Sequence, residues 1–304
     1  MMLKKISCLL ISLFAVDYLY AQQDAQYSLY VFNQIAINPA YAGTRDVLSS
    51  SLIYRNQWAS MPQGAPSTAA FSIQTPLHNK KIGVGAEMFS DKIGPKISNG
   101  ILLSYAYRLR LGKGQLALGL KMGMINYIFD WTKIDYKDKD DNYNTQNRSS
   151  KFTGSADFGW YYYTRSFYWG MSFTHINHGK ITEIGNDFTQ QAVHFFMPIG
   201  KSFQVGNVII NPTYILKKAT NSPATSDFGV NVLLKEKWWI GISFRRQYGT
   251  VFLTQYQIKE KLKIGYSYDY GTNKMGRIGG VSHEIMISYI INNPGSKTAS
   301  PRYL

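Results

Sequence analysis

The sequence predicts an all-β fold, an antiparallel barrel of the outer-membrane kind with about fourteen strands and an N-terminal segment packed on or in the lumen. Three observations predict it. Apolar and polar residues alternate with a period of two from about residue 47 onward, as in a half-buried strand. The polar face so defined is rich in glycine and alanine. The connections between alternating runs switch between long and short, as loops and turns do around a membrane barrel.

Composition narrows the field further. Charged residues are 17% of the 304-residue chain and aromatics 15%, which excludes a disordered polymer. No apolar run reaches roughly eighteen residues, so a bundle of membrane helices is excluded. The one cysteine, Cys8, rules out a disulfide framework and a thiolate zinc site. Net charge is +15. Anionic lipid or lipopolysaccharide phosphate is the expected partner of that charge, and no motif for nucleic acid accompanies it. The plain alternative is a dispersed surface charge, because the basic residues form no long run.

The elements follow in order. Residues 1–21 read as a secretory signal peptide: Lys4 and Lys5 precede an apolar stretch from Ile6 to Val16, and Ala21 stands before Gln22. Residues 22–46 do not alternate and are too apolar for a free tail, with Tyr27, Leu29, Tyr30, Val31, Phe32, Ile35 and Ile37. They are expected to pack as a plug or periplasmic segment, turning at Asn38-Pro39 and Ala42-Gly43. The barrel is expected over 47–292, with a tail at 293–304. Its strands are predicted near 47–56, 67–75, 81–90, 97–109, 114–127, 153–163, 166–174, 189–200, 205–216, 226–234, 238–246, 249–257, 261–270 and 282–292.

Alternation alone does not decide what the apolar face meets, since a soluble sandwich turns it inward and a membrane barrel turns it to lipid. Small residues on the polar face (Gly83, Gly85, Gly119, Gly123, Gly229, Gly241, Gly265) suit a concave interior. Aromatics gather near strand ends, as at Trp131, Trp160, Trp169 and Trp238, where a membrane–water interface favours them. The odd connections, with 128–152 and 175–188 the longest, exceed the even ones except at 247–248.

With apolar faces outward, Glu87, Arg108, Arg110, Lys121, Asp157, Arg245, Lys263, Asp269 and Glu284 point into the lumen. Charges of both signs there either brace the barrel as a paired network or line a selective water-filled pore. The apolar N-terminal segment favours a plugged barrel of low conductance.

Motifs for chemistry are weak. His175 and His178 in HINHG lack a third ligand at defined spacing, so a turn is the better reading than a metal site. Asp138, Asp140, Asn142 and Asn144 alternate as in a calcium loop, but the required glycine is missing and Ser149 stands where the closing Glu belongs. No nucleophile elbow or phosphate loop is present, and His283 and Glu284 point to opposite faces of one strand. Neither an enzyme nor a cofactor is expected.

Short ordered motifs add a resemblance. QYSLYVFNQIAINPAYAG at 26–43, RNQW at 55–58, GAPST at 64–68, DKIGP at 91–95, SYAYRL at 104–109, WIGISFRR at 239–246, GYSYDY at 265–270 and SHEI at 282–285 resemble the PorP/SprF family of type IX secretion system membrane proteins of the Bacteroidetes. Val281 departs from the glycine expected there, and 128–225 carries little of the signal. The resemblance marks Asn38, Pro39, Tyr41, Gly43, Arg55, Trp58, Gly64, Pro66, Asp91, Gly94, Asp269, His283 and Glu284 as motif positions and assigns none a catalytic role. It implies an outer-membrane accessory protein that supports secretion or surface attachment of particular cargo proteins, gliding adhesins among them. Its partners would be cargo and other secretion subunits, met by external loops (Trp58, Tyr143, Asn144, Ile181) and periplasmic turns. The rivals are a porin or lipophilic-solute transporter of similar fold, and a soluble glycan-binding β-domain.

Overall fold

A computed structural model describes residues 25–77, 80–134, 148–184 and 187–291, with the side chains of 182–188 left aside. The expected signal peptide at 1–21, the Asp138–Asn144 run and the tail at 293–304 lie outside the described residues.

The strands are β1 Leu48–Asn56, β2 Ser67–Leu77, β3 Ile82–Ile93, β4 Lys96–Leu111, β5 Gly114–Asp130, β6 Arg148–Tyr163, β7 Phe167–Thr174, β8 Lys180–Ile184, β9 Asp187–Gln190, β10 His194–Lys201, β11 Phe203–Val205, β12 Val208–Ala219, β13 Thr225–Leu234, β14 Trp238–Arg245, β15 Gly249–Gln257, β16 Leu262–Gly271 and β17 Ser282–Ile291. β8 and β9 form a separate hairpin in the connection between β7 and β10. β11 continues β10 past Ser202 and pairs with the start of β12. The rest form one closed antiparallel barrel of 14 strands. Each strand pairs with the next around the ring, and β1 pairs with β17 over its whole length, from Leu48↔Ile291 to Asn56↔His283. Closure removes every sheet edge that lipid would leave unsatisfied.

Exposure decides what the alternation means. Leu103, Met122 and Phe244 are 62%, 63% and 61% exposed, while Arg55 and Lys121 are 1% and 2%. A water-soluble sandwich does the reverse. Greasy side chains outside and charged ones inside make physical sense only when the surrounding solvent is hydrocarbon. No helix among the described residues is long and apolar enough to cross a membrane; the strands do the crossing.

The two classes of connection lie at opposite ends of the barrel. The short turns after β2, β4, β6, β11, β13 and β15 share one end, taken as periplasmic. At the other end the connections interlock. Ala59 and Ser60 donate backbone bonds to Val281 and Gly279, and Thr272 donates to Tyr248. The helix α1, Lys274–Gly279, is capped there by the Asn273 side chain. The exceptional connection at 247–248 is thus short because it is a hairpin turn docked under its longer neighbour.

Candidate functional site: a plugged lumen below an outer vestibule

Residues 25–46 run down the inside of the barrel. The segment folds as three 3-10 turns, Leu29–Phe32, Gln34–Ala36 and Pro39–Tyr41. Short turns of this kind satisfy backbone groups locally, which lets an apolar segment lie in a lumen without a strand partner. Ser28 sits near the outer ends of β1, β16 and β17, and Gly43 near the inner ends of β2 and β3.

The apolar residues that marked this segment in the sequence make its packing. Leu29 and Phe32 join Ile53, Met286, Leu253 and Trp239. Ile35, Ala40, Tyr41 and Ala42 join Ala106, Ala117 and the tyrosines 161, 163 and 168. Tyr41 meets Tyr161 edge-on with centroids 5.4 Å apart, a favoured aromatic geometry.

The small residues of the lumen face are where the plug comes closest. A Cβ at Gly119 would overlap the Ala40 backbone, one at Gly83 the Ala42 carbonyl, and one at Gly85 the Ile35 side chain. Gly229 and Gly241 instead make room for neighbouring wall side chains, Thr213 and Asn231. Asn38 is the tightest fixture. Its Oδ1 accepts from the Ala40 amide at 2.9 Å, and its Nδ2 donates to the carbonyls of Trp160 and Met171 at 3.0 and 3.3 Å. Gly159 and Gly170 leave the space it occupies. Pro39 starts the third turn at a position where an N–H is not needed, and Gly43 takes a left-handed φ of 69°.

Polar contacts hold the two ends of the plug. At the outer end, Arg55 pairs with Asp269 at 2.7 Å and Glu284 at 2.9 Å. Glu284 accepts the Ser28 and Leu29 amides at 2.8 and 3.0 Å, and the Ser28 hydroxyl donates to Asp269 at 2.6 Å. Arg245 bridges Asp227 at 3.1 Å and Asp269 at 3.7 Å, and Lys217 meets Asp227 at 2.8 Å. Three cations and three carboxylates thus balance in a buried cluster. Balance matters because a lone buried charge costs several kcal/mol, about 3–5 when its partner is removed. On the far wall Lys121 pairs with Glu87 and donates to the Ile35 carbonyl at 2.9 Å. At the inner end Arg108 donates to the Gly43 carbonyl at 2.8 Å and pairs with Asp46 at 3.1 Å.

The residues singled out from the sequence are placed as follows. Asn38, Pro39, Tyr41 and Gly43 belong to the plug, and Arg55, Arg245, Asp269 and Glu284 form one cluster with it. Glu87, Lys121 and Arg108 touch the plug elsewhere. Asp157 accepts the His175 amide at 2.9 Å. Arg110 shares the inward parity but lies at the turn end of β4, beyond the enclosed lumen, and is exposed. Lys263, at the start of β16, is half-buried opposite the lumen-facing Ser288. Asp91 accepts from Thr68 at 2.6 Å. Gly64 accepts from the Gly94 amide at 3.2 Å, and Pro66 closes its loop by accepting from Gln57 at 2.9 Å. Trp58 takes a left-handed φ of 56°, lies against Gly279 and donates its amide to Ser282. His283 faces away from Glu284 and bonds the Tyr266 hydroxyl at 2.7 Å.

His175 and His178 lie in a turn, with φ of 56° and 47° and a bond from the His178 amide to the His175 carbonyl. His175 is buried against Ser155, while His178 is exposed. No cluster of three metal-ligating side chains occurs among the described residues. Ser28, Lys217 and Asp227 are cluster members that the inward-charge reading missed. Lys217 and Asp227 have the right parity and charge to have been found; Ser28 has no sequence signal.

Above the plug a cavity of about 140 Å³ opens toward the external loops. Tyr27, Tyr30 and Ile37 form its plug side, and Ile125, Phe196 and Ile215 contribute to its walls.

Residues 19–289 match the model of the type IX secretion system membrane protein PorP/SprF. The chain belongs to the PorP/SprF family. PorP/SprF membership and the barrel together place the protein in the outer membrane. Among solved structures it is similar to the CymD monoaromatic hydrocarbon channel, with TM-score 0.50 and 12% identity over 86% of this chain and 93% of that one. The TodX monoaromatic hydrocarbon channel deltaS2 mutant has TM-score 0.49, 9% identity and coverage of 85% and 94%. Omp33 of Acinetobacter baumannii has TM-score 0.45, 9% identity and coverage of 80% and 96%. At 12% identity the likeness to CymD speaks for the barrel fold alone. No curated protein matches the sequence. In this PorP/SprF protein the motif positions Arg55, Asp269 and Glu284 thus fall in the cluster that holds the plug.

Proposed function

We propose that this protein is a non-enzymatic, membrane-embedded accessory of type IX secretion. It docks particular secreted or surface-bound cargo proteins, gliding adhesins included, and meets other subunits of the apparatus. The external loops serve cargo and the periplasmic turns serve the apparatus. Lipid and lipopolysaccharide phosphates surround the barrel and match its basic charge. The domain division that goes with this reading is a signal peptide at 1–21, a plug at 22–46, a barrel at 47–292 and a tail at 293–304.

One observation carries the reading: the plug meets the wall at Gly83, Gly119 and Gly159 so closely that not even a Cβ would fit. A lumen filled in this way supports use of the barrel as an anchor and a docking face. Deleting the gene is expected to change the profile of secreted and surface proteins, and an unchanged profile would end the proposal. Purification in mild detergent is expected to bring down cargo or apparatus chains.

The rival reading, a porin or transporter for lipophilic solutes, draws on the outer cavity. Liposome swelling separates the two, because a docking barrel leaves swelling at the level of empty vesicles.

A further inference from the structure

The outer cavity ends at the plug. Tyr27, Tyr30 and Ile37 close it from below, and Ile125 of β5 and Ile215 of β12 stand in its walls. Beneath that floor lie the close contacts of Ala40 with Gly119 and Ala42 with Gly83. Whatever enters from outside has no onward path while the plug is seated. A dead-end recess suits an occupant whose remainder stays outside.

Size and charge narrow the occupant. An apolar cavity of about 150 Å³ accepts one benzene ring, and this one is about 140 Å³. The inward-facing charged side chains around it have partners, and Lys218, also at its edge, is exposed. Glu87 holds Lys121, Asp157 holds the His175 amide, and Lys217 holds Asp227. Lys96 lies 5.2 Å from the centre of the Tyr127 ring, and Asp91 is bonded to Thr68. The buried ion pairs of the wall, Glu87 with Lys121 and Lys217 with Asp227, are internally matched, so an ionic occupant would compete with them rather than complete them.

We propose that the recess receives one uncharged aromatic or branched apolar side chain, presented from outside by a secreted polypeptide. The proposal rests on the docking reading and gives it a location and a chemistry. A single apolar anchor in a pocket, with the rest of the contact spread over loops, is how many protein interfaces concentrate their affinity.

The test uses the mature chain in detergent, with N-acetylphenylalanine amide as probe and N-acetylglycine amide as control, read by saturation-transfer NMR against empty micelles. The wild type and Leu120→Trp, which changes the lipid face of β5, are expected to show transfer to the phenylalanine probe only. Ile125→Trp and Ile215→Trp fill the recess from two walls and are expected to lower the signal at least tenfold. Mobility of unheated samples on gels checks that each variant is folded. A second route needs no core change: Ser222→Cys, at the mouth, is capped with a bulky maleimide, and binding is expected to disappear. Absence of transfer to folded wild type, or undiminished transfer in the folded filled variants or the capped protein, overturns the proposal. So does passage of phenyl probes across vesicles containing the protein, which would make the recess an entrance. In cells, if gene deletion alters the surface profile but Ile125→Trp restores it fully, the recess fails and the docking reading stands. If deletion alters nothing, the docking reading fails first.

Discussion

Arg55 and Glu284 stand directly opposite each other across the seam where the first strand meets the last, and their side chains pair at 2.9 Å. The same Glu284 carboxylate accepts the amides of Ser28 and Leu29. One ion pair therefore belongs both to the seam that closes the barrel and to the grip on the plug.

Removing Arg55 leaves Asp269 and Glu284 buried with one fewer cation. Arg55→Met is expected to destabilise the folded barrel by about 3–5 kcal/mol, measured by reversible denaturant titration in lipid vesicles. Glu284→Gln in the Arg55→Met background is expected to recover part of that loss, since it removes one of the stranded charges. A double variant that is fully additive would contradict the pairing.

Asn38 both accepts and donates, so its two conservative replacements differ. Asn38→Ala loses the turn cap and both wall bonds, a cost of about 1–3 kcal/mol. Asn38→Asp keeps the acceptor for the Ala40 amide but aims an oxygen at the carbonyls of Trp160 and Met171. The aspartate is therefore expected to be no better than alanine. Limited proteolysis within 25–46 is the measurement, and both variants should be cut faster than wild type. Rescue by aspartate would show that capping alone matters.

Gly119 lies where the Ala40 backbone passes. Gly119→Val is expected to leave the β4–β5–β6 pairing intact while unseating the plug. In planar bilayers the wild type should show little current, and the variant should conduct. Large steady currents from wild type would refute a sealed lumen.

The lipid face makes a separate demand. Leu120→Arg puts a charge on the outward side of β5, near mid-strand. The expected cost is about 2–4 kcal/mol at the bilayer midplane, falling toward zero near the interfaces. Folding titrations in vesicles should show it, whereas Lys113→Glu, on an exposed turn, should be nearly silent.

Strand number and order were legible because alternation survives on most barrel strands, even where β12 carries Pro212; β10, with the apolar run Phe195 to Ile199, is the weakest case. The plug was legible as a place but not as a structure. Its apolar residues exclude a free tail, yet nothing in 25–46 announces three successive 3-10 turns, because their geometry is imposed by the wall. Parity located most of the lumen charges. Arg110 is the exception, since parity says which way a side chain points and not whether the barrel still encloses it at that height. The Ser28 contact was invisible, because a serine in an irregular segment becomes a ligand for Asp269 only through distance closed by folding. The hairpin β8–β9 was missed as well: the strand expected at 189–200 ran the end of β9 into β10, whereas β9 turns back on β8 in an external loop, outside the wall.

The course of the plug also bears on biogenesis. The chain descends from Ser28 at the outer level to Gly43 at the inner level before β1 begins, and β17 is the last barrel strand along the described chain. If the seam between β1 and β17 zipped around an empty lumen, Glu284 would lose two amide donors and Asp269 a hydroxyl. The final step of insertion is thus most favourable when residues 25–46 are already seated, so that the plug serves as the template on which the ring is sealed.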